Sequence, residues 1–316
     1  MPLTALQKDV LAVLARNRSE ESHFAGGIVL RAADDSARFS HDFDIFHELA
    51  GEVARASNRD VECLRDAGFH VETPSRYGEW EKDATFRKAR IGRGAETVEI
   101  DWAADSAFRF FPIERDPQLG WRLHRFDIAT NKALALSART ETRDYVDIVE
   151  LHQTYPLAAI CWAACGKDPG FSPLSLLKMM KRFARVNPTE LDKIKARTLD
   201  PIALKMKWIE MSDEAEAKMI RAVNEQPDLP IGVAFVDASG RLDGSATIPP
   251  GASTRRPSAA AGRRCMAGTL SRIHALGART SVRREVRTAR VGRVWRSPRR
   301  VPGPRQRGRR LEPHGL

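Results

Sequence analysis

The stretch "RFSHDFDIF" carries two aspartates two positions apart, Asp42 and Asp44. In an extended segment, side chains two residues apart point the same way, so both carboxylates and the Ser40 hydroxyl would share one face. The apolar side chains would lie on the opposite, buried face and fix the register of the strand: Phe39, Phe43 and Ile45. Like charges side by side repel, and a bound divalent cation is a common reason to keep them together. The pair therefore suggests a metal site, although such pairs are also frequent on solvated strands.

A second stretch, "TVEIDWA", repeats this alternation, with Glu99 and Asp101 between apolar residues. If its strand neighbours the first, Asp101 joins Asp42 and Asp44 in an oxygen-rich site suited to Mg²⁺. Two ions bridged by the phosphates of a nucleotide could sit there, one activating the attacking oxygen and the other stabilising the leaving pyrophosphate. A solvated strand face would show the same pattern.

Two adjacent glycines, Gly26 and Gly27, stand where a short helix is expected to begin, ahead of the first aspartate. Without side chains they would let the backbone approach a phosphate closely, and the helix N-terminus would add N–H donors and a favourable dipole. A Gly-Gly pair is common in turns, so it gains meaning only from its position before the aspartates.

Four further charged candidates lie in "DIATNKALALSARTETRDYVDIVEL": Lys132, Arg139, Asp144 and Asp147. Lys132 and Arg139 fall on one face of the predicted helix, where a cation could neutralise triphosphate charge during transfer. Asp144 could cap the next helix, or one of the two aspartates could orient the lysine or act as a base. Surface salt bridges of small energetic value are the alternative interpretation.

The elements that must position these residues follow from hydrophobic spacing and turn residues. Helices are predicted at 3–17, after the Gly-Gly turn and at 47–67, and strands at "RFSHDFDIF", "HVETPS", "TFRKARI" and "TVEIDWA", the last two as a hairpin. A strand pair flanks "ERDPQLGW", helices follow, and "LPIGVAFVDASG" adds a last strand. We therefore expect an α/β (α+β) fold, with a mixed sheet flanked by helices over 1–126 and a mainly helical part over 127–250 that completes the site.

The charge is distributed unevenly along the chain. Residues 251–316 hold 18 arginines, no lysine and two glutamates, a net of +16, so the total of +11 leaves −5 for the first 250 residues. This tail has no hydrophobic periodicity and is expected to be disordered. Three interpretations stay open: out-of-frame translation of a GC-rich sequence, a solvated arm, and an arm that binds nucleic-acid phosphates.

Composition excludes a membrane-spanning class of protein. Hydrophobic residues make up 42% of the chain and charged residues 29%, as in soluble globular proteins. No apolar run reaches the roughly 18 residues that a spanning helix needs. The N-terminal segment reads as an amphipathic helix with a capping box of Thr4 and Gln7, not as a signal peptide. We expect a cytoplasmic protein that does not contact a membrane.

Taken together, "FAGGIVLR", "RFSHDFDIF", "VEIDWA" and the lysine-containing block resemble the motifs of the AbiEii/AbiGii nucleotidyltransferase-like toxins. This family is a branch of the DNA polymerase β nucleotidyltransferase superfamily, and the resemblance spans about residues 5–225. It implies a nucleotide and metal site formed by these residues: Gly26, Gly27, Asp42, Asp44, Lys132, and Asp144 or Asp147. The wider superfamily often has Gly-Ser where this chain has Gly26 and Gly27, so a hydroxyl contact to phosphate is missing unless Ser40 supplies it.

The resemblance implies Mg²⁺-dependent transfer of a nucleoside monophosphate from an NTP to an acceptor hydroxyl, with tRNA or a protein as candidate acceptors. Asp42, Asp44 and Asp101 would hold the metal, while Lys132 and Arg139 would offset triphosphate charge. Many members are toxins of toxin–antitoxin or abortive-infection systems, which implies an antitoxin partner. Two rival hypotheses remain: a non-catalytic nucleic-acid-binding protein acting through its basic tail, and an inactive nucleotidyltransferase fold.

Overall fold

A computed structural model gives the architecture of the chain. It describes residues 3–257 with the exception of 32–35, 37, 41, 74–84, 106–107, 196, 198 and 238–252. Most of the predicted arginine-rich tail, 251–252 and 258–316, lies outside the described residues.

Helices and strands alternate in the first half of the described chain, and helices dominate the second half. The helices are α1 Ala5–Leu14, α2 Gly26–Arg31, α3 Ala50–Asp66, α4 Arg125–Ala138, α5 Thr142–Leu151, α6 Leu157–Ala164, α7 Pro173–Phe183, α8 Pro188–Ile194 and α9 Pro201–Glu225, with a 3₁₀ turn at Ala15–Asn17. The strands are β1 Ser22–Ala25, β2 Asp42–His47, β3 His70–Glu72, β4 Phe86–Arg93, β5 Glu96–Ala104, β6 Glu114–Asp116, β7 Gly120–Arg122, β8 Ala234–Val236 and β9 Ser253–Arg255.

Seven strands form one mixed sheet in the order β3-β4-β5-β2-β1-β7-β6. Strand β2 lies at its centre, antiparallel to β1 and parallel to β5. The predicted hairpin of β4 and β5 is present, and so is the strand pair β6–β7 around the "ERDPQLGW" loop. The predicted mixed α/β architecture is therefore confirmed.

Short-range capping contacts begin several of the helices, and the capping box of α1 was predicted. Thr4 and Gln7 form the predicted capping box of α1, in which each side chain accepts from the other residue's backbone N–H. Three later helices begin with proline at their first position and are capped by the side chain before it: Ser172, Asn187 and Asp200.

The strand predicted at residues 38–46 is shorter in the structure. Strand β2 begins at Asp42, and two residues ahead of it, Arg38 and Phe39, contact the end of α8 and the residue after it instead of a sheet neighbour. The Phe39 N–H donates to the Ile194 carbonyl at 2.7 Å, and Arg38 forms an isolated bridge with Lys195. Phe39 is half-buried and does not belong to the buried face of β2.

A continuous core joins the sheet to the helices that follow it. Phe43 and Ile45 from β2 and Trp102 from β5 are fully buried, and they belong to the same apolar cluster as Phe126 of α4 and Tyr145 of α5. No helix in the described part of the chain has the length and apolarity needed to span a membrane.

A short segment inside the predicted tail forms a strand. Ser253–Arg255 form β9, which pairs antiparallel with β8, the predicted last strand. The Arg255 guanidinium lies over the Phe111 ring at 5.1 Å. The backbone groups of this segment form hydrogen bonds with β8, although the composition of the tail did not predict a strand here.

Candidate active site

The three candidate acidic residues lie side by side on two adjacent strands. Asp44 of β2 is directly opposite Asp101 of β5, and Asp42 is opposite Glu99. The alternation predicted from sequence is observed, since the carboxylate-bearing positions are half-buried while the apolar positions between them are buried. One face of the sheet therefore gathers Asp42, Asp44 and Asp101.

Two cationic side chains contact carboxylates on this face of the sheet. The Lys88 ammonium of β4 is 2.7 Å from Glu99 Oε2 and 3.3 Å from Asp101 Oδ1. The Arg143 guanidinium of α5 donates to Asp42 Oδ2 at 3.2 Å. Sequence reasoning did not assign a role to either cation.

The position of Lys88 could have been read from the hairpin. A two-residue turn at Gly94 and Ala95 sets the register of β4 against β5 and places Lys88 opposite Asp101. The contact between Arg143 and Asp42 joins residues 101 positions apart, so no local pattern indicates it.

The Gly-Gly turn packs directly against Asp44. Gly26 has φ +60°, in the left-handed region, and a Cβ built there would lie 2.6 Å from Asp44 Cγ. The Gly27 N–H donates to the Asp44 carboxylate. A Cβ on Gly27 would meet Ser40 Oγ at 2.9 Å, so the serine hydroxyl lies beside the turn.

Replacing Gly26 with alanine is expected to lower stability, and alanine at Gly94 provides a matched control. Both glycines have positive φ, so both substitutions cost about 1 kcal/mol of backbone strain. Only Gly26 faces a carboxylate, because nothing lies within 4 Å of a Cβ at Gly94. In urea unfolding, Gly26→Ala should lose roughly 1–3 kcal/mol more than Gly94→Ala. Equal losses would contradict the close approach of the turn to Asp44.

Lys132 is held between two carboxylates. Its ammonium lies 2.8 Å from Asp144 Oδ1 and 2.9 Å from Asp147 Oδ2, and both aspartate side chains are fully buried. Arg139 also contacts Asp144, through Nε at 2.8 Å. Asp144 is not the helix cap that was one alternative, since α5 is preceded by Glu141 and Asp144 lies in its first turn, facing the two cations.

Asp147 joins the lysine to two buried arginines. Arg38 donates to it in a bidentate manner, at 2.6 Å through Nε and 2.7 Å through Nη2, and Arg31 of α2 contacts the same carboxylate. Arg38 Nη2 would also be 3.1 Å from a Cβ on Gly27. A chain of charged contacts thus runs from the Gly-Gly turn through Asp147 to Lys132.

The electrostatics separate the two groups of carboxylates. Burial raises the pKa of Asp44; Lys132 opposes the rise and Asp42 adds to it. Burial also raises the pKa of Asp101, to about 6, with Lys88 opposing and the neighbouring aspartates adding. By contrast, burial of Asp147 is outweighed by Arg38, Lys132 and Arg31, which hold its pKa well below the usual range. Lys132 and Arg139 likewise lower the pKa of Asp144 in spite of its burial.

The donor chemistry of the strand face suits a divalent cation. Carboxylate oxygens are the ligands that Mg²⁺ prefers, and the raised pKa values of Asp44 and Asp101 reflect negative charge that is crowded and short of solvation. In the described part of the chain, no group of three or more His, Cys, Asp or Glu side chains is arranged as a ready metal site. The side chains of Lys88 and Arg143 contact carboxylates that would also bind an ion, so an ion would compete with these two cations.

The structure thus places all the predicted site residues in two adjoining groups. The strand face and turn bring together Gly26, Gly27, Ser40, Asp42, Asp44 and Asp101, and the helical network brings together Lys132, Arg139, Asp144 and Asp147. Lys132 and Arg139 both act electrostatically on Asp44, which links the two groups. Arg31 and Arg38 were missed by sequence reasoning because their shared partner lies more than a hundred positions away.

Comparisons with known proteins identify the family of the chain. The family model described as "Nucleotidyl transferase AbiEii toxin, Type IV TA system" matches residues 11–219, about two thirds of the chain. No curated protein matches this chain in sequence.

Two solved structures show a similarity to this chain at low sequence identity. MenT4, a nucleotidyltransferase toxin from Mycobacterium tuberculosis H37Rv, is 16% identical with a TM-score of 0.46, covering 70% of this chain and 88% of its own. JHP933 from Helicobacter pylori is 14% identical with a TM-score of 0.43, covering 71% of this chain and 94% of its own. The family match over residues 11–219 shows that the chain belongs to the AbiEii nucleotidyl transferase toxin family.

Proposed function

We propose that the chain transfers a nucleoside monophosphate from an NTP to an acceptor hydroxyl, with the help of a divalent cation. The observation that carries the proposal is the row of Asp42, Asp44 and Asp101 on two adjacent strands, directly beside the Gly-Gly turn. In the reaction, the acceptor oxygen bonds to the α-phosphorus, the bond from that phosphorus to the bridging oxygen breaks, and pyrophosphate leaves.

Asp42 and Asp44 would hold the cation, with Asp101 next to them. Mg²⁺ bound there would neutralise charge on the phosphates and acidify the acceptor hydroxyl. Burial raises the pKa of Asp101 to about 6, which makes this carboxylate a better proton acceptor than an ordinary aspartate, so it could take the proton of that hydroxyl. Glu99 is already bound by Lys88 and takes no part in this scheme.

Lys132 would offset the triphosphate charge. Asp144 and Asp147 fix the position of its ammonium, and these carboxylates keep it charged by raising its pKa in spite of burial. The geometry favours an orienting role for both aspartates over that of a base, because each is paired with cations and has a lowered pKa. Arg139, whose side chain is half exposed and contacts Asp144 as Lys132 does, would add a second positive charge for the phosphates.

The Gly-Gly turn would face the phosphates of the nucleotide. Gly26 and Gly27 present backbone without side chains next to Asp44, and the Ser40 hydroxyl lies close enough to add a contact that the turn itself lacks. A phosphate held there would lie between the acidic row and the helical network.

The direct test is transfer of label by the full-length chain. Each of the four α-labelled NTPs should be incubated with protein, Mg²⁺ and total RNA, or with cell protein, and label in the acceptor should be measured. We expect one NTP to label RNA, and tRNA is the acceptor we favour, on the resemblance stated above. No labelling by the wild-type chain in any combination, or equal labelling by wild type and by Asp42→Asn, would count against the proposal.

We further propose a cellular role as the toxin of a type IV toxin–antitoxin pair, from the family description. Expression of the wild-type chain should arrest growth, and expression of Asp42→Asn should not. Co-expression of an antitoxin encoded by a neighbouring gene should relieve the arrest. Growth arrest by both proteins would instead support the rival hypothesis of nucleic-acid binding through the basic tail, which carries a net charge of +16.

Lys88 should compete with the metal for the carboxylate row, so Lys88→Met is expected to raise affinity for Mn²⁺ by about tenfold. Lys88 contacts Asp101, so removing its positive charge strengthens the attraction of this carboxylate for Mn²⁺. Free Mn²⁺ can be followed by electron paramagnetic resonance without any reaction taking place. Lys207→Met, which removes an exposed lysine paired with Glu210, is the control. Unchanged or weaker binding in Lys88→Met would refute this role.

A further inference from the structure

A cavity lies at the end of the two central strands that is away from the acidic row. Ser22 of β1 pairs with His47 of β2 at this end, three residues, or about 10 Å, along β2 from Asp44. The cavity has a volume of about 360 Å³. It is lined by the 3₁₀ turn after α1, the end of β2 and the first half of α3, with these polar residues among them: Arg16, Arg18, His47, Arg55, Arg59 and Asp60.

Two of its four arginines have no ion-pair partner among the residues that the structure describes. Arg18 is buried against Asp60, and Arg55 pairs with Glu52. Arg16 and Arg59 are exposed and form no ion pair within the described chain, and Glu21 is the one lining carboxylate outside those pairs. The unpaired charges therefore favour an anion.

A buried histidine adds a hydrogen-bonding group to the wall. His47 is 1% exposed, and neither of its ring nitrogens has a hydrogen-bond partner among the described residues. Burial, together with the nearby Arg18, lowers the pKa of His47 to about 3. The ring is thus neutral and has one N–H left to donate and one nitrogen left to accept.

A polar group buried without a partner is costly, and the cost is removed when a ligand supplies the partner. Guanidinium groups form paired hydrogen bonds to phosphate oxygens with matching geometry. The volume lies at the lower end of the range for small-molecule sites. All three observations describe a compact, polar and negatively charged ligand.

We propose that this cavity binds a phosphate-bearing anion of about mononucleotide size, held by Arg16 and Arg59 with His47 as an additional contact. The site is separate from the acidic row, and the proposal does not depend on the proposed reaction. The phosphate group could belong to a free nucleotide or to an RNA chain.

The test follows the ring resonances of His47 by NMR in the full-length protein with labelled histidines. Inorganic phosphate and adenosine 5′-monophosphate are titrated at constant ionic strength into wild type, into the double variant Arg16→Gln/Arg59→Gln, and into Arg65→Gln. Arg65 is an exposed arginine of α3 that does not line the cavity, so its variant controls for general charge loss.

We expect a saturable shift of the His47 signals in wild type and in Arg65→Gln, with affinity about tenfold weaker in the double variant. Because both replaced arginines are exposed, the double variant should remain folded, which its other histidine signals will show. A further titration with hexauridylate identifies the source of the phosphate group. Competition with adenosine 5′-monophosphate assigns the site to RNA phosphates, and no competition assigns it to a free nucleotide. No shift up to tens of millimolar ligand, or equal shifts in all three proteins, would overturn the proposal.

Discussion

Replacing Asp42 or Asp44 with asparagine is expected to lower the rate of nucleotidyl transfer by at least about a thousandfold while leaving the fold intact. The amide has the shape of the carboxylate but no charge to hold a cation. Both positions are half-buried on the face of β2 that does not enter the core, so the substitutions leave the packing of Phe43 and Ile45 unchanged. Single-turnover transfer of labelled nucleotide measures the loss.

The stability of Asp44→Asn should be equal to or higher than that of wild type at pH 7. The pKa of Asp44 is raised in the folded state, so its ionised form is less stable folded than unfolded. A neutral side chain removes that penalty, which is fully present once the pH exceeds the folded-state pKa. Increased stability combined with lost activity would mark Asp44 as a residue kept for chemistry. Wild-type transfer rates in both variants would eliminate the acidic row as the active centre.

Asparagine at Asp147 is expected to have the largest effect on stability, with a loss of about 3–5 kcal/mol in the free energy of unfolding. The Asp147 side chain is fully buried and is the shared partner of Arg31, Arg38 and Lys132. Without its charge, three cations in a poorly solvated region repel one another with less compensation. Urea unfolding followed by circular dichroism measures the difference, and lost transfer activity should accompany it because Lys132 is no longer fixed.

The pH dependence identifies the cause of this loss. The cations hold the pKa of Asp147 well below its unfolded value near 3.8, so the stability it contributes is present above that pH. It disappears as the pH falls through the folded-state value. The difference between wild type and Asp147→Asn should therefore be constant near neutral pH and shrink below about pH 4.

Asp213→Asn is the matched control for this substitution. Asp213 pairs with Lys181 at 3.2 Å, but its side chain is 68% exposed, and its replacement should cost less than about 1 kcal/mol. A loss at Asp147 no greater than that at Asp213 would contradict the role assigned to the buried network.

Much of the local structure was determined by sequence alone. The capping box of α1, the proline-initiated helices and the hairpin turn at Gly94 all involve residues close together in the chain, so their geometry follows from short-range hydrogen bonds and backbone preferences. The common face of Asp42 and Asp44 follows in the same way from the two-residue period of a strand. These features place the candidate residues on the right elements.

The composition of the site was decided by tertiary structure. Nothing local indicates that β2 lies parallel to β5, more than fifty positions later, and this pairing is what brings Asp101 beside Asp44. Nor does a local pattern connect Arg38 with Asp147, 109 positions apart, or place Phe39 against the end of α8. Side-chain direction within one element is fixed by its own backbone, whereas the pairing of distant elements depends on the packing of the whole core. The sequence by itself therefore determined which residues could act, and only the folded core decided which of them meet.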